Sequence, residues 1–455
     1  MTTSSLKNIV LIDLQYPYGK NHVYMNGSLC AIAASLMAMG HWVKILDFNI
    51  DDSDDSKILQ QILDADLVGI SVIGSPFIPS AIEFSNRFSS KVTLIGGQVI
   101  AKLQREQFEQ LFKGTRATQV ISTADLAIAL GCSPQVIPDS FSSPLTPVWQ
   151  SMGKQRLKEY LSHEFALLVS QGCAYDCVFC GAKKREREQF VNLEIFTKDM
   201  LFIVNSAKEF GLTKIEAYAS SLDFFQNPER VTKYLEVLAK IRKQTGVDFK
   251  VRCLSCVKSF VRAYRKVDNL GALLNLAGLW CIGFGVDGTD EEVWKSQNKT
   301  HNDLNEVNFC LDICQSAGVR SEVLMVMGFA KDTAHSLWKN LRSSLRYVYR
   351  WKKVVLRPYL AKPFIPGNDE WLTDPRVQQV IKNPDLFFNL DFCALGSRLT
   401  HPRRIHRWIC NLAYLAIIAL LTPTGHCTTS PLFPQGSGSL KGLRRLVNRL
   451  MPFDR

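Results

Sequence analysis

The chain has no run of about twenty consecutive apolar residues, which argues against a polytopic membrane protein. Its opening, MTTSSLKNIV, lacks the basic lead-in and long apolar stretch of a secretion signal, so a cytoplasmic location is expected. No internal repeat or long low-complexity segment is visible in the 455 residues, which excludes a solenoid and leaves room for two or three domains with their own cores. Acid is scarce relative to base: 42 Asp and Glu face 54 Lys and Arg, a net charge of +12. Part of that excess gathers in Lys183, Lys184, Arg185, Arg187 and the C-terminal segment. With no nucleic-acid recognition module beside it, the excess reads as a solvated basic surface, and nucleic acid is not the expected partner.

What is present is an alternating pattern. Residues 1–140 read as a parallel α/β unit of the flavodoxin or Rossmann type. Its expected strands are Asn8–Leu14, His41–Asp47, Leu67–Ile73, Val92–Gly96 and Gln119–Ser122. Helices are expected over Ser28–Met39, Pro79–Ser90 and Gln104–Phe112. Ligands of such sheets bind beyond the carboxyl ends of the strands, which points to the loops Gln15–Gly27, Gly74–Pro79 and Gly96–Ile100. The Ser- and Pro-rich stretch Cys132–Gln150 reads as a linker, with the boundary between units at 141–160.

A second βα series follows over 161–370. Strands are expected at Phe165–Ser170, Lys214–Tyr218, Phe249–Leu254, Trp280–Val286, Glu322–Met327 and Lys353–Pro358, the pattern of an open, partial (β/α)6 barrel. Residues 371–455 read as a mostly helical, basic appendage. Its apolar stretch Trp408–Leu421 is expected to cap the barrel; the competing reading is peripheral membrane contact, aided by a basic, amphipathic Leu440–Met451.

Thirteen cysteines with no export signal are expected to be reduced, structural or metal-binding. Three cluster as Cys173-x3-Cys177-x2-Cys180, directly after a strand. Three thiolates within eight residues can wrap one corner of an iron–sulfur cube and leave its fourth iron open. Zinc and plain buried thiols are the competing readings, although zinc prefers two spaced pairs of ligands. Cys253-x2-Cys256 reads as a structural pair, because residues three apart on a strand face opposite ways. Cys310 and Cys314, one helical turn apart, read as core.

The cysteine spacing, with an aromatic at Phe179, resembles the radical SAM superfamily, and the α/β unit ahead of the barrel resembles its cobalamin-binding branch, class B. The N-terminal match rests on Asn26-Gly-Ser-Leu29, Gly40 to Asp47, Leu67 to Ser71 and Leu94 to Gly97. The resemblance implies a 4Fe-4S cluster on Cys173, Cys177 and Cys180, S-adenosylmethionine on its open iron, and cobalamin. For S-adenosylmethionine it implies Phe179, Ser220, Asp223, Arg252, Asp287 and Glu322, with turn roles for Gly328, Pro366 and Gly367. For cobalamin it implies Gly27, Ser71, Gly74, Gly96 and Gly97.

Two departures stand out: the family's Gly-Gly-Glu after the second strand is replaced by Glu216-Ala-Tyr-Ala-Ser-Ser-Leu-Asp223, and no Asp-x-His-x-x-Gly cobalt motif is present. Competing readings of single residues are a turn for Asp287 and salt bridges for Arg252 and Glu322; for the N-terminal sheet it is a cofactor-free wall of the substrate channel.

The expected activity is reductive cleavage of S-adenosylmethionine coupled to cobalamin-dependent methyl transfer onto an unactivated carbon or phosphorus of a small molecule, lipid or peptide. The alternatives are cyclisation, rearrangement or oxidation without methyl transfer, or a non-catalytic iron–sulfur scaffold. The expected electron donor is a reductant such as flavodoxin or ferredoxin.

Overall fold

The computed structural model describes residues 5–17, 23–180, 188–362, 371, 373–422 and 424–427. Lys183, Lys184, Arg185, Arg187, Pro366, Gly367 and Leu440–Met451 lie outside the described residues.

Five short strands, β1 (Asn8–Asp13), β2 (Trp42–Asp47), β3 (Leu67–Ser71), β4 (Thr93–Gly96) and β5 (Ala117–Gln119), pair all-parallel in the order β2-β1-β3-β4-β5. The order reverses between β1 and β3, where the connections leave to opposite faces and open a crevice. The intervening helices are α1 (Gly27–Ala38), α2 (Ser56–Asp64), α3 (Ile78–Arg87), α4 (Arg105–Leu111) and α5 (Thr123–Leu130). Sequence periodicity overlooks α2 and α5. Both are short, and their starts are marked instead by side-chain caps, Asp55 and Ser122.

The expected linker is structured at its end. Helices α6 (Thr146–Ser151) and α7 (Lys154–Leu161) bury Val148, Trp149, Leu157 and Tyr160, and α6 packs on α1. Ser and Pro content misleads here because Pro147 sits in the first turn of α6, where proline costs no hydrogen bond.

The barrel strands are β6 (Glu164–Leu168), then, after a two-residue antiparallel ladder of β7 (Ser170–Gln171) with β8 (Gln189–Phe190), β9 (Lys214–Ser220), β10 (Asp248–Ser255), β11 (Leu279–Gly285), β12 (Arg320–Met327) and β13 (Val354–Leu360). They form one parallel sheet in the order β13-β12-β11-β10-β9-β6. Helices α8 (Leu193–Glu209), α9 (Pro228–Thr245), α10 (Val257–Lys266), α11 (Leu270–Leu276), α12 (Glu291–Ser296), α13 (Leu304–Ser316) and α14 (Ala334–Arg350) connect them.

Strand β10 shows why the sheet has two different faces. Phe249, Val251 and Cys253 are buried against the helices, whereas Lys250, Arg252 and Leu254 alternate toward the barrel interior. One hydrophobic core runs from Leu29 and Leu36 of α1 through Trp149 and Leu157 to Phe165 and Leu167 of β6, so the first sheet is docked on the barrel.

The helix Arg404–Leu421 packs on α14 and β13 through Cys410, Tyr414, Ile417 and Leu421. By length and composition it is apolar enough to cross a membrane, with mean hydropathy 1.3, and it leaves Ile405, Trp408, Leu412 and Leu420 exposed.

Candidate active site

The cysteine loop leaves the carboxyl end of β6 through Gly172, whose φ of +99° is a left-handed conformation that a side chain would strain. Four contacts then hold it. The Ala174 N–H donates to Gln226 Oε1 at 2.8 Å, and the Tyr175 hydroxyl lies 3.3 Å from Ser259 Oγ. Asn298 Nδ2 donates to the Asp176 carbonyl at 2.8 Å, and the Val178 N–H donates to the Gln297 carbonyl at 3.0 Å. The Tyr175 ring also stacks on His301, their centroids 3.8 Å apart. None of the three is in a disulfide; Cys177 is buried and Cys173 and Cys180 are half-buried. Among the described residues no three His, Cys, Asp or Glu side chains are gathered so as to hold a metal ion. A loop of three thiols at a barrel mouth is the donor set of a polynuclear cluster with one open iron.

Two residues that the sequence did not assign to this site complete the corner: Lys299, and Cys256, which lies beyond the end of β10 and so is not half of a strand pair. Cys256 follows β10 and caps α10; its thiol hydrogen-bonds the Cys173 sulfur, and that bond holds the Cys173 thiol below its usual range. Lys299 is buried, ion-paired with Asp287, and its Nζ lies 5.7 Å from the centre of the Phe179 ring. Burial pushes the Cys177 thiol up to about 11, opposed by the Lys299 ammonium. Desolvation and the same ammonium lower His301 to about 4, keeping it neutral.

The residues expected at S-adenosylmethionine are distributed differently. Ser220 is half-buried at the carboxyl end of β9, in the wall of the chamber described below. Asp223 is a correction: it is 1% exposed, and its carboxylate accepts from Ser255 Oγ, Ser259 Oγ and the Cys256 N–H at 3.1, 2.6 and 3.0 Å. A carboxylate so buried and so bonded fixes the β10–α10 turn, facing that turn rather than the chamber. Arg252 makes two hydrogen bonds to Glu164, at 2.7 and 2.8 Å, and lies 3.5 Å from Glu322. Glu322 also lies 3.3 Å from Arg357. Both are therefore members of an ion-pair network inside the barrel, the salt-bridged alternative. Asp287 adopts φ +52°, the turn conformation, and its carboxylate goes to Lys299. The Phe179 ring packs on Phe329 with centroids 5.3 Å apart.

Two cavities flank the first sheet. One, of about 260 Å³, lies among β1, β3, β4, α1 and α5 and is lined chiefly by aliphatic side chains, with Ser71, Gly96 and Gly97 in its wall. Gly97 has φ +113°, and a Cβ there would stand 2.3 Å from the Val72 carbonyl oxygen, so no other residue fits. The second, of about 340 Å³, lies between the strand ends of the first sheet and the barrel interior, with Asp13, Tyr24 and Gly27 on one side and Glu164, Tyr218 and Arg252 on the other. Gly74 lines neither cavity; it precedes a short 3-10 turn, Ser75–Phe77.

Asp13 gives this chamber its polarity. It takes a hydrogen bond from Asn26 Nδ2 at 3.2 Å, and burial, reinforced by the neighbouring Asp47, pushes its carboxyl up to about 7. Asp47 is itself fully buried and accepts from the Tyr160 hydroxyl at 2.7 Å.

No family model matches the sequence, and no curated protein matches it. Solved structures do. One is the radical S-adenosylmethionine methyltransferase TsrM from Kitasatospora setae, with cobalamin and a [4Fe-4S] cluster bound: TM-score 0.60, 16% identity, 80% of this chain and 77% of that one. Another is the cobalamin-dependent S-adenosylmethionine radical enzyme OxsB with aqua-cobalamin and S-adenosylmethionine bound: TM-score 0.59, 14% identity, 96% of this chain and 63% of that longer one. The chain thus has the fold of the cobalamin-binding radical SAM enzymes, across both sheets and their connection.

Proposed function

We propose that this protein is a radical SAM enzyme using a 4Fe-4S cluster, S-adenosylmethionine and cobalamin, and that it methylates an unactivated carbon or phosphorus of a small-molecule, lipid or peptide substrate. The observation that carries the reading is the tethered loop of Cys173, Cys177 and Cys180 at the mouth of a six-stranded parallel barrel, joined through a closed core to a second sheet with an aliphatic cavity and a polar chamber at its strand ends. The donor set fits: three reduced thiols for three irons, and a buried Lys299 ammonium beside them to offset thiolate charge. When bound, the cluster with S-adenosylmethionine supplies a hydrogen-abstracting radical and the corrinoid supplies the methyl group.

The chain's own residues hold, orient and exclude. Gln226, Ser259, Gln297 and Asn298 fix the cysteine loop, so the thiols are ordered before anything binds. Phe179 and Phe329 wall the mouth with aromatic rings, and Tyr24 and Tyr218 narrow the chamber between the sheets, keeping water from reactive species. Asp13, protonated over part of the neutral range, can hand a hydrogen bond to an amide or carbonyl in that chamber. Ser71, Gly96 and Gly97 let a large ligand approach the first sheet closely. A one-electron donor with an acidic face suits the +12 chain.

Anaerobic reconstitution with iron, sulfide and hydroxocobalamin, followed by S-adenosylmethionine and a reductant, tests the reading. Retained corrinoid with both 5′-deoxyadenosine and S-adenosylhomocysteine as products is the expected result, lost when Cys177 is replaced by alanine. 5′-Deoxyadenosine without corrinoid uptake would leave the cluster chemistry and remove methyl transfer.

A further inference from the structure

Seven of the eighteen exposed large apolar side chains among the described residues sit on two neighbouring helices. Trp338, Leu345 and Tyr349 of α14 are spaced seven and four apart, and Ile405, Trp408 and Leu412 of the helix Arg404–Leu421 three and four apart, so each set forms one stripe along its helix. Leu420 adds to the far end of the second helix. The two stripes adjoin. The opposite flank of α14 is occupied: Asn340 Oδ1 accepts from the Thr289 N–H at 2.8 Å, and Lys339 and Arg350 pair with Asp290 and Asp312. The flank that carries Trp338 therefore turns toward the helix Arg404–Leu421, which packs on α14. The N-terminal ends of both helices, with Leu337 on one and Ile405 and Ile409 on the other, line one cavity of about 480 Å³. Only 28% of the second helix is buried, where the core helix of a globular domain is mostly buried.

The charge around this face has one sign. Neither helix contains Asp or Glu. Arg342 falls within the α14 stripe, four residues after Trp338; Arg346 borders it, and Arg403 and Arg404 open the other helix, all four exposed. That charge argues against two coverings. A second copy would set the same arginines against one another across a two-fold interface, with no acid to meet them. The chain's own residues 428–455 carry Lys441, Arg444, Arg445, Arg449 and Arg455 against the single Asp454, and repel the face as well. An anionic lipid surface answers both halves: its acyl region takes the tryptophan and aliphatic side chains, and its headgroup phosphates take the guanidinium groups. We propose that this face docks on the surface of an anionic membrane, with the helix Arg404–Leu421 lying in the interface while it stays packed on α14 and β13. The N-terminal end of the face adjoins the barrel mouth, because His401 Nε2 bonds the Gly328 carbonyl, just past β12, at 2.9 Å. The proposal goes beyond the radical SAM reading and does not depend on it.

Co-sedimentation of the full-length protein with vesicles of phosphatidylcholine alone, and of phosphatidylcholine with phosphatidylglycerol, tests this. Wild type should pellet with the anionic vesicles, and at least about tenfold more weakly with the neutral ones or in added salt, which screens the arginines. Trp408→Glu with Leu412→Glu should lower binding to the anionic vesicles at least about tenfold with an unchanged circular dichroism spectrum, since both side chains are exposed. Ile405→Ser with Leu420→Ser gives a gentler second variant of the same face, should the first not fold. Wild type left in the supernatant with both kinds of vesicle overturns the proposal. Equal pelleting by wild type and the folded variants overturns it too, because the binding then lies elsewhere on the chain. A wild-type dimer in sedimentation velocity that Trp408→Glu with Leu412→Glu splits into monomers shows that a second copy covers the face, and overturns it as well. Iron content and S-adenosylmethionine cleavage, measured on the same proteins, report the cluster reading separately.

Discussion

Gly27, the first residue of α1, lies against Ala166 of β6 so closely that a Cβ at position 27 would stand 2.9 Å from the Ala166 Cβ. The Ala166 N–H also reaches the Met25 carbonyl at 3.4 Å, so the segment before α1 runs along the edge of the barrel sheet. This contact is where the first sheet meets the barrel. Gly27→Val should cost about 1–3 kcal/mol through overpacking. The loss should appear in chemical denaturation as a weakened or split transition, and as faster hydrogen exchange at residues 25–36 and 164–168.

Arg252 ties together Glu164 and Glu322 inside the barrel. Arg252→Met should destabilise the fold by up to about 3–5 kcal/mol, because the half-buried Glu164 loses its partner and the buried Glu322 keeps only Arg357. The double variant Arg252→Met, Glu322→Gln should be less destabilised than the single one, since one stranded charge is gone. Equal losses in urea denaturation would show that the pair is not coupled.

Asp13 sets a pH dependence of opposite sign to that of a salt-bridged carboxylate. Its folded value, about 7, lies above the unfolded 3.8, so the folded state holds the proton more tightly. Stability should be greatest below about pH 4 for this group's contribution and decline as pH rises toward about 7, after which the penalty is fully present. Asp13→Asn should flatten that decline and be the more stable protein at pH 8, as read from urea midpoints between pH 5 and 8.

The aliphatic cavity of the first sheet is open to a filling test. Ser71→Phe, at the carboxyl end of β3, should occupy its mouth and lower corrinoid retention at least about tenfold, a loss of about 1.4 kcal/mol or more. Iron content should not change. Visible absorbance of the reconstituted protein reads the corrinoid and iron separately.

Much of the architecture is legible from local pattern. Ten of the eleven long strands lie within two residues or so of their expected bounds, because alternation such as that of Phe249, Val251 and Cys253 is written directly in the residue types. β5 is the exception: its three residues have no buried side chain to mark a period, and the strand sits earlier than Gln119–Ser122. The cysteine loop was equally legible, since its three thiols are close in sequence. Cys310 and Cys314 are both 0% exposed, as their helical spacing requires.

What the sequence by itself determined, then, is everything that depends on neighbours along the chain: two βα series, the glycine turns, and three cysteines at one strand end. Tertiary structure alone decided which distant groups meet. Arg252 reads as a ligand-binding cation until Glu164, 88 residues away, is found bonded to it. Asp223 reads as a free carboxylate until β10 and α10 surround it. Cys256 reads as one half of a strand pair until β10 is found to end at Ser255 and the Cys256 N–H to donate to Asp223, 33 residues away. Charge, burial and hydrogen bonding act through space, and residue order carries no record of which side chains a closed parallel sheet will set side by side.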